Sequence, residues 1–372
     1  MSDFSRALAA EIDHLVADRW DQLLLFVMPL VLLGLMAAML LQGVPRDLPV
    51  AVVGGRDDQA ARDFVQSLED SPAIRVAARL RSEEEALSLV RRGRIIAFVQ
   101  LPASLAPRDE PVLRISYNAS YLSTGGIAEA GMAQALVEAG RTAAISASGL
   151  DGLSALRLAP IPVSLAILAN PEASFEWYLQ ALVDPAVLHL LIACAAAMAM
   201  GRALDGRSLA GWVARSGGGA GALAGKLLPY VAICGAWGAA WLIWIAGVRG
   251  WQPQGSLALI MAGQLLLLAG TACISAMLVA LSKETSTALA ASAVYAGSAL
   301  AYSGGSLPVE GAGLLTRAWS GLLPFTHYLE LQMDQWLGAP ARVAAPQFLI
   351  LALYVLVPGL VTLAVLRRSR AA

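Results

Sequence analysis

Long apolar runs constrain the fold of this chain more than any other feature of its sequence. A helix of about 20 apolar residues is long enough to cross the hydrocarbon core of a bilayer. Runs of this kind lie at residues 21–41, 184–201, 227–247, 257–281, 286–303 and 347–366. Charged residues make up 14% of the chain, whereas soluble domains carry about 25%. The sequence therefore predicts an α-helical integral membrane protein with six transmembrane helices, one before and five after a polar stretch.

The polar stretch predicts an inserted α/β domain. Strand-like segments alternate with helical ones, which is typical of a mainly parallel sheet. The predicted strands are Leu48–Val53, Ile74–Leu80, 94–101 and 111–117, and the predicted helices are 57–70, 82–93 and 121–148. Residues 82–85 read Ser-Glu-Glu-Glu, which is a capping box at the start of a helix.

Four parts are predicted along the chain. Residues 1–20 form a cytoplasmic interfacial helix, 21–42 the first transmembrane helix, 43–182 the extracytoplasmic α/β domain, and 183–372 a transmembrane domain of five helices. Within the last part, residues 304–346 contain several glycines and prolines that interrupt any single crossing. They predict an outer re-entrant or interfacial segment.

Basic residues predict the orientation. With the N-terminus inside, the short inner segments carry ten Arg and Lys residues and the short outer loops carry three. The positive-inside rule favours this arrangement and leaves long inserted domains out of the count. Both termini are therefore predicted to be cytoplasmic, and the insert to lie outside.

Residues 221–226, Gly-Ala-Leu-Ala-Gly-Lys, resemble a phosphate-binding loop. The glycine spacing is one residue short of that motif, and Leu227 stands where a magnesium-binding hydroxyl is needed. The segment also leads into an apolar run instead of following a buried strand. We therefore predict a flexible, glycine-rich inner loop with Lys226 at the membrane boundary.

Other function classes lack their usual residues. Ion-coupled carriers place carboxylates inside their spans, and predicted spans 3 to 6 have none in their middles. His189 in the second span is predicted to form a hydrogen bond between helices, with a proton relay as the alternative. No GxSxG or HExxH motif occurs, and helix capping explains Asp57 and Asp58. No catalytic, cofactor-binding or metal-binding residue is predicted, and a net charge of −1 indicates no nucleic-acid partner.

Two further stretches combine charged or aromatic residues with glycine and proline. The inner loop 201–226 has the composition of a short surface helix that docks a partner. On the outer side, residues 302–308 break the fifth span, and residues 323–329 return to the membrane interface. Both stretches lie next to predicted spans.

These features resemble an ABC-2 type transporter permease, of the subgroup with a large extracytoplasmic domain after the first transmembrane helix. The resemblance covers essentially the whole chain. It rests on Leu48–Val53, 61–62, 84–86, 92–93, 101–102, 117–121, 170–171, 175–178, 225–230, 303–304, 307–308 and 323–328, which occur in the order of the family.

The resemblance implies a set of partners. Family permeases work in pairs, so a second permease is expected in a homo- or heterodimer. A separate cytoplasmic ABC ATPase subunit would carry ATP and magnesium, and no cofactor is expected in this chain. A periplasmic adaptor and the lipid bilayer complete the expected partners. Family members export drugs, lipids, polysaccharides or other hydrophobic cargo.

The resemblance also implies candidate site residues. A coupling helix after the second span receives the ATPase stroke in this family, and it maps to residues 204–212. The candidate coupling residues are Leu204, Asp205, Gly206, Arg207, Trp212 and Lys226. The chain departs from the family's acidic-Gly-Thr pattern here, because Arg207 follows Gly206. The candidate outer gate comprises Ser303, Gly304, Pro308, Pro324, Thr326, His327 and Tyr328.

The sequence thus predicts a permease subunit of an ATP-driven exporter in a bacterial inner membrane, moving an apolar or amphipathic cargo. The alternative is a membrane-anchored receptor or assembly factor whose extracytoplasmic domain binds a partner. Five additional spans are more than anchoring requires, which favours the exporter.

Overall fold

The computed structural model describes residues 2–40, 47–54, 59–71, 73–101, 114–117, 126, 128, 130–135, 174–306, 309 and 312–371. The chain divides into two compact units. The helical unit comprises residues 1–41 and 168–372, and the sheet unit comprises residues 42–167.

In chain order, the elements are α1 (Asp3–Ala17), α2 (Arg19–Leu40), β1 (Leu48–Val53), α3 (Gln59–Glu69), β2 (Ile74–Leu80), α4 (Glu83–Arg91), β3 (Ala97–Gln100), β4 (Arg114–Tyr117), α5 (Phe175–Gly201), α6 (Ala210–Ser216), α7 (Ala220–Ile243), α8 (Leu257–Ser282), α9 (Thr285–Tyr302), α10 (Leu314–Gly321), α11 (Pro324–Trp336) and α12 (Ala345–Ala371). Helix α7 continues into a π-helical turn at Trp244–Val248, and a 3₁₀ turn at Ala341–Ala344 precedes α12.

The sheet unit contains the mainly parallel sheet that the sequence predicts. The strand order is β2-β1-β3-β4, with β1 parallel to both neighbours and β4 antiparallel to β3. Strands β1 and β2 have the predicted bounds, whereas β3 is shorter. Residues 126, 128 and 130–135 are helical. The other residues of the predicted helix 121–148 lie outside the described residues, as do the predicted caps Asp57 and Asp58.

Strand β1 is the centre of two small cores. Val50 and Val52 pack with Leu68 of α3 on one face, and Ala51 and Val53 pack with the α4 side on the other. Since both faces are covered, the strand is apolar at nearly every position and does not alternate. Helix α4 begins as predicted, with the Ser82 hydroxyl accepting a hydrogen bond from the Glu85 N–H at 3.3 Å.

In the described part of the chain, five helical segments are long and apolar enough to cross a membrane. They are Arg19–Leu40, Glu176–Gly201, Ala220–Val248, Leu257–Ser282 and Ala341–Ser369. The remaining predicted span, 286–303, coincides with α9, which is shorter and richer in Ser and Thr. The count of six spans stays a prediction.

The first of these helices contains a π-helical turn, Leu23–Val27, just before Pro29. Proline has no N–H with which to bond the carbonyl four residues earlier, here that of Leu25. Trp237 of α7 donates its indole N–H to the Leu25 carbonyl at 2.9 Å. The proline therefore creates an acceptor inside the helix, and a neighbouring helix supplies the donor.

Small residues allow the helices to approach closely. Gly270 of α8 faces Tyr354 of α12, whose Cβ would lie 3.1 Å from a Cβ added to the glycine. Gly263 of α8 similarly faces Leu331 of α11, at 3.0 Å. Such contacts are typical of helices that associate through van der Waals packing in a membrane.

Candidate functional site

The loop after α5 forms a tight turn whose tip is exposed. Asp205 and Ser208 exchange two backbone hydrogen bonds, at 2.8 and 3.1 Å. Gly206 between them has φ of +60°, a left-handed conformation that glycine adopts readily. We call residues 205–208 the coupling turn.

The predicted coupling helix at 204–212 is therefore placed differently. The helical part is α6, which begins at Ala210, after the coupling turn. Leu209, Trp212 and Val213 are buried, so α6 is fixed to the helical unit while the turn before it reaches solvent. Arg207 donates to the Ser282 carbonyl at 3.4 Å, which brings the coupling turn near the connection between α8 and α9.

A buried ion-pair cluster lies beside α6. Its members are Glu11 of α1, Asp21 of α2, Arg202 after α5, and Lys226 and Tyr230 of α7. The Glu11 carboxylate accepts hydrogen bonds from Lys226 Nζ, Arg202 Nη2 and Tyr230 Oη, each at 2.7 Å. Arg202 Nη1 lies 3.0 Å from Asp21 Oδ2. Four separate segments of the chain therefore meet through charged groups.

The cluster balances its charges. Two carboxylates face two cations, while Glu11, Asp21 and Lys226 are each at most 5% exposed. Burial by itself raises the pKa of Glu11, but the charge and hydrogen bond of Lys226, with help from Tyr230 and Arg202, hold that pKa below its ordinary value. Glu11 is thus stabilised as the anion that its neighbours require.

Lys226 joins the cluster to α6. Its ammonium lies 5.9 Å from the centre of the Trp212 ring, within the range of a cation–π interaction. Of the candidate coupling residues, the structure brings Trp212 and Lys226 together. It places Asp205, Gly206 and Arg207 in the exposed turn, and Leu204 is half-buried.

Residues 221–226 lie inside helix α7 and are not the flexible loop that the sequence predicts. A Cβ added to Gly225 would lie 2.5 Å from the carbonyl oxygen of Phe4 and 3.1 Å from the backbone nitrogen of Leu8. Gly221, one turn earlier, also faces Phe4. The Gly-x-x-x-Gly spacing creates a groove for α1, and this packing explains the glycines that resemble a phosphate-binding loop.

Helix α1 presents two different apolar faces. Ala7, Glu11 and Leu15 lie along one stripe and are buried. Ile12 and Val16 are exposed on another side. Side chains four residues apart share one face of a helix, so the first stripe contacts α7 while the second is exposed.

A second ion pair holds the opposite ends of α5 and α7. Arg249 donates to both carboxylate oxygens of Glu176, and the Trp251 indole N–H donates to Glu176 Oε2 at 3.2 Å. Glu176 lies in the first turn of α5 and Arg249 follows α7, whereas Arg202 follows α5 and contacts Tyr230 within α7. The two antiparallel helices are therefore joined by polar contacts at two separate levels.

The candidate gate residues fall into two groups. Ser303 and Gly304 end α9, where Gly304 has φ of +86°. Pro308 lies outside the described residues. A Cβ added to the neighbouring Gly305 would meet the side chains of Leu182 and Leu329, so the end of α9 lies against α5 and α11.

The second group forms the start of α11. Pro324 occupies its first turn, where a missing N–H is tolerated. The Thr326 hydroxyl donates to the Ser320 carbonyl at 2.8 Å, and His327 Nε2 lies 3.1 Å from the Gly321 carbonyl. The Tyr328 ring is fully buried. These contacts fold α10 against α11.

His189 forms the interhelical hydrogen bond that the sequence predicts. Its Nδ1 lies 2.8 Å from Thr271 Oγ1 of α8. The Thr271 hydroxyl donates its one proton to the Leu267 carbonyl at 2.8 Å, so Nδ1 carries the hydrogen in the bond to Thr271. Among the described residues, no group of three or more His, Cys, Asp or Glu side chains is placed to hold a metal ion.

Sequence reasoning missed Glu11, Asp21 and Tyr230. The acidic residues of α1 are predicted to face away from its apolar stripe. A signal was present, because Glu11 lies between Ala7 and Leu15 at four-residue spacing, on the face that becomes buried. Tyr230 follows Lys226 at the same spacing on α7, which places both side chains on one face.

The long apolar helices and their close packing define a helical membrane protein. A family model described as ABC-2 family transporter protein matches residues 20–364. The chain belongs to this family, which confirms the resemblance seen in its sequence. Permeases of this family are membrane components that work with an ATPase subunit. No curated protein and no solved structure matches the chain.

Proposed function

We propose that this chain is the permease subunit of an ATP-driven exporter for apolar or amphipathic cargo. It works in the bacterial inner membrane with cytoplasmic ABC ATPases and a second permease. In this proposal both termini and the coupling turn are cytoplasmic and the sheet unit is outside. The residues that contribute the outer gate are Ser303, Gly304, Pro308, Pro324, Thr326, His327 and Tyr328. The ion-pair cluster beside α6 is the observation that carries the proposal.

The ion-pair cluster supports a route by which a movement of the ATPase subunit is transmitted to the helices of this chain. The coupling turn is exposed, whereas Leu209 and Trp212 immediately after it are buried. Lys226 links Trp212 to Glu11, and Glu11 binds Arg202. A push on the turn therefore acts on α1, α5 and α7 together.

The movement reaches the far end of the helical unit through α5 and α7. These helices are joined by the Arg202–Tyr230 contact and, further along, by the bidentate Glu176–Arg249 pair. Two helices joined at two levels move as one body more readily than they slide. In the proposed mechanism this body shifts against the second permease and opens a cavity to the outside.

The test changes the exposed tip and leaves the buried anchors intact. Arg207→Glu reverses a charge in the coupling turn, and the assembled complex is assayed for cargo-stimulated ATP hydrolysis. We expect stimulation to fall close to the basal rate. Arg317→Glu is the matched control, because Arg317 is also exposed but lies on α10, beyond the far end of α9.

The control complex should keep its stimulation. A wild-type response in Arg207→Glu, and again when residues 205–208 are replaced by Gly and Ser, would sink the assignment of this turn.

A further inference from the structure

A cavity of about 450 Å³ lies between α2, α5 and α7. Its wall is formed by aliphatic and small residues of α2, by Asp184 of α5, and by Trp237, Trp241 and Trp244. The surface is almost entirely apolar apart from the carboxylate. A carboxyl group among indole rings is an unusual lining for a cleft that only contacts lipid chains.

Asp184 is the exceptional member of this wall. It is 1% exposed, and its Oδ1 has no hydrogen-bond partner among the described residues. It lies eight residues after Glu176, which is about 12 Å along α5. A buried carboxyl oxygen without a partner is costly in an apolar environment, so its presence favours a bound group that the isolated chain does not supply.

Three tryptophans line the same cavity as this carboxylate. Trp237, Trp241 and Trp244 recur at helical spacing on α7 and its π-helical turn. The Trp237 ring is held in place by its bond to the Leu25 carbonyl. Indole is the aromatic side chain that attracts organic cations most strongly.

We propose that this cavity binds a lipophilic organic cation, with Asp184 as the counter-ion and the three indoles around the apolar body. An acyl chain would fill the apolar volume but would leave the carboxylate unpaired. A metal cation needs several oxygen ligands, and Asp184 is the one carboxylate among the described residues that line the cavity. The inference that such a cation is the cargo rests on the proposed exporter function. The inference that the cavity binds such a cation does not.

The test compares two ions of similar size and shape but opposite charge, tetraphenylphosphonium and tetraphenylborate. Binding to the purified full chain is measured in nanodiscs of uncharged lipid. We expect wild-type protein to bind the phosphonium with measurable affinity and to show no saturable borate binding. Asp184→Asn should weaken phosphonium binding at least ten-fold.

Two further variants test whether phosphonium binding depends on the residues that line the cavity and not on a general change in the protein. Trp244→Leu should weaken phosphonium binding several-fold, because one ring is lost. Asp13→Asn removes an exposed carboxylate from α1 and should bind like wild type. The preference of the wild-type protein for phosphonium over borate tests the inference even if a variant fails to fold.

The outcomes distinguish this inference from the exporter proposal. Equal binding of both ions, or unchanged phosphonium binding in Asp184→Asn, would show that the cavity is a lipid-filled cleft and would overturn the inference. If the chain binds phosphonium selectively but phosphonium does not stimulate ATP hydrolysis in the assembled complex, the binding site is supported. That result would count against the proposed exporter function only.

Discussion

Glu11→Gln is the substitution that most directly probes the ion-pair cluster. Glutamine keeps the shape of the side chain but removes its charge. Lys226, which is 5% exposed, then loses its carboxylate partner and keeps its contact with the Trp212 ring. Arg202 is less affected, because it retains Asp21 at 3.0 Å.

The expected cost follows from the loss of one partner in a buried pair. Breaking such a pair destabilises proteins by about 3 to 5 kcal/mol, because an uncompensated charge remains. The glutamine carbonyl can still accept one hydrogen bond, so we expect a loss near the lower limit, about 3 kcal/mol. Reversible SDS unfolding of the purified protein in mixed micelles measures this free energy.

A second substitution tests whether Lys226 carries the penalty. Adding Lys226→Met to Glu11→Gln removes the stranded charge with a side chain of similar length. The double variant should recover most of the loss and give a coupling energy of about 2 kcal/mol. Asp13→Asn on the exposed side of α1 is the control. A Glu11→Gln variant within about 0.5 kcal/mol of wild type, below any buried-pair effect, would refute the reasoning.

Three further predictions follow from the same helices. Gly225→Leu should release α1, because the added Cβ would meet the Phe4 carbonyl at 2.5 Å; faster proteolysis of the N-terminal helix checks this. Trp237→Phe leaves the Leu25 carbonyl without its donor and should cost about 1 to 3 kcal/mol in SDS unfolding. The pKa of Glu11 is lowered in the folded chain, so the stability that Glu11 contributes is fully present above its ordinary pKa of 4.5 and is lost as the pH falls below that value. The free energy of unfolding, measured from pH 7 to pH 4, should therefore fall in wild type and fall less in Glu11→Gln.

Hydropathy and alternation predicted the elements whose formation depends on local sequence. Strand β1 has its predicted bounds because a continuous apolar run between turn residues is typical of a buried parallel strand. Strand β2 has its predicted bounds because its residues alternate in burial. Helix α4 was predicted from its capping box, which acts within four residues. Long apolar runs similarly predicted the helices that can cross a membrane.

The sequence was less informative where distant segments meet. Gly221 and Gly225 indicated a flexible loop because glycine weakens isolated helices. In the folded chain the same residues admit the backbone of α1 from more than 200 positions away. The position of Glu11 opposite Lys226 depends on that packing, so no local pattern specifies it.

The loop that contains the coupling turn was predicted only in part. The resemblance predicted the position of the loop, and the candidate residues Trp212 and Lys226 do meet. The predicted helix at 204–212 was placed too early, because Gly206 adopts a left-handed conformation that allows a two-residue turn. Helix α6 then begins only at Ala210.

The central claim is that this chain is the membrane half of an ATP-driven complex. Affinity purification from native membranes, followed by quantitative mass spectrometry and an ATPase assay, tests it most directly. The account predicts that an ABC ATPase and a second permease copurify in fixed ratio, that the complex hydrolyses ATP, and that Arg207→Glu uncouples hydrolysis from cargo. Purification of the chain without any ATPase, under conditions that preserve other membrane complexes, would contradict the account.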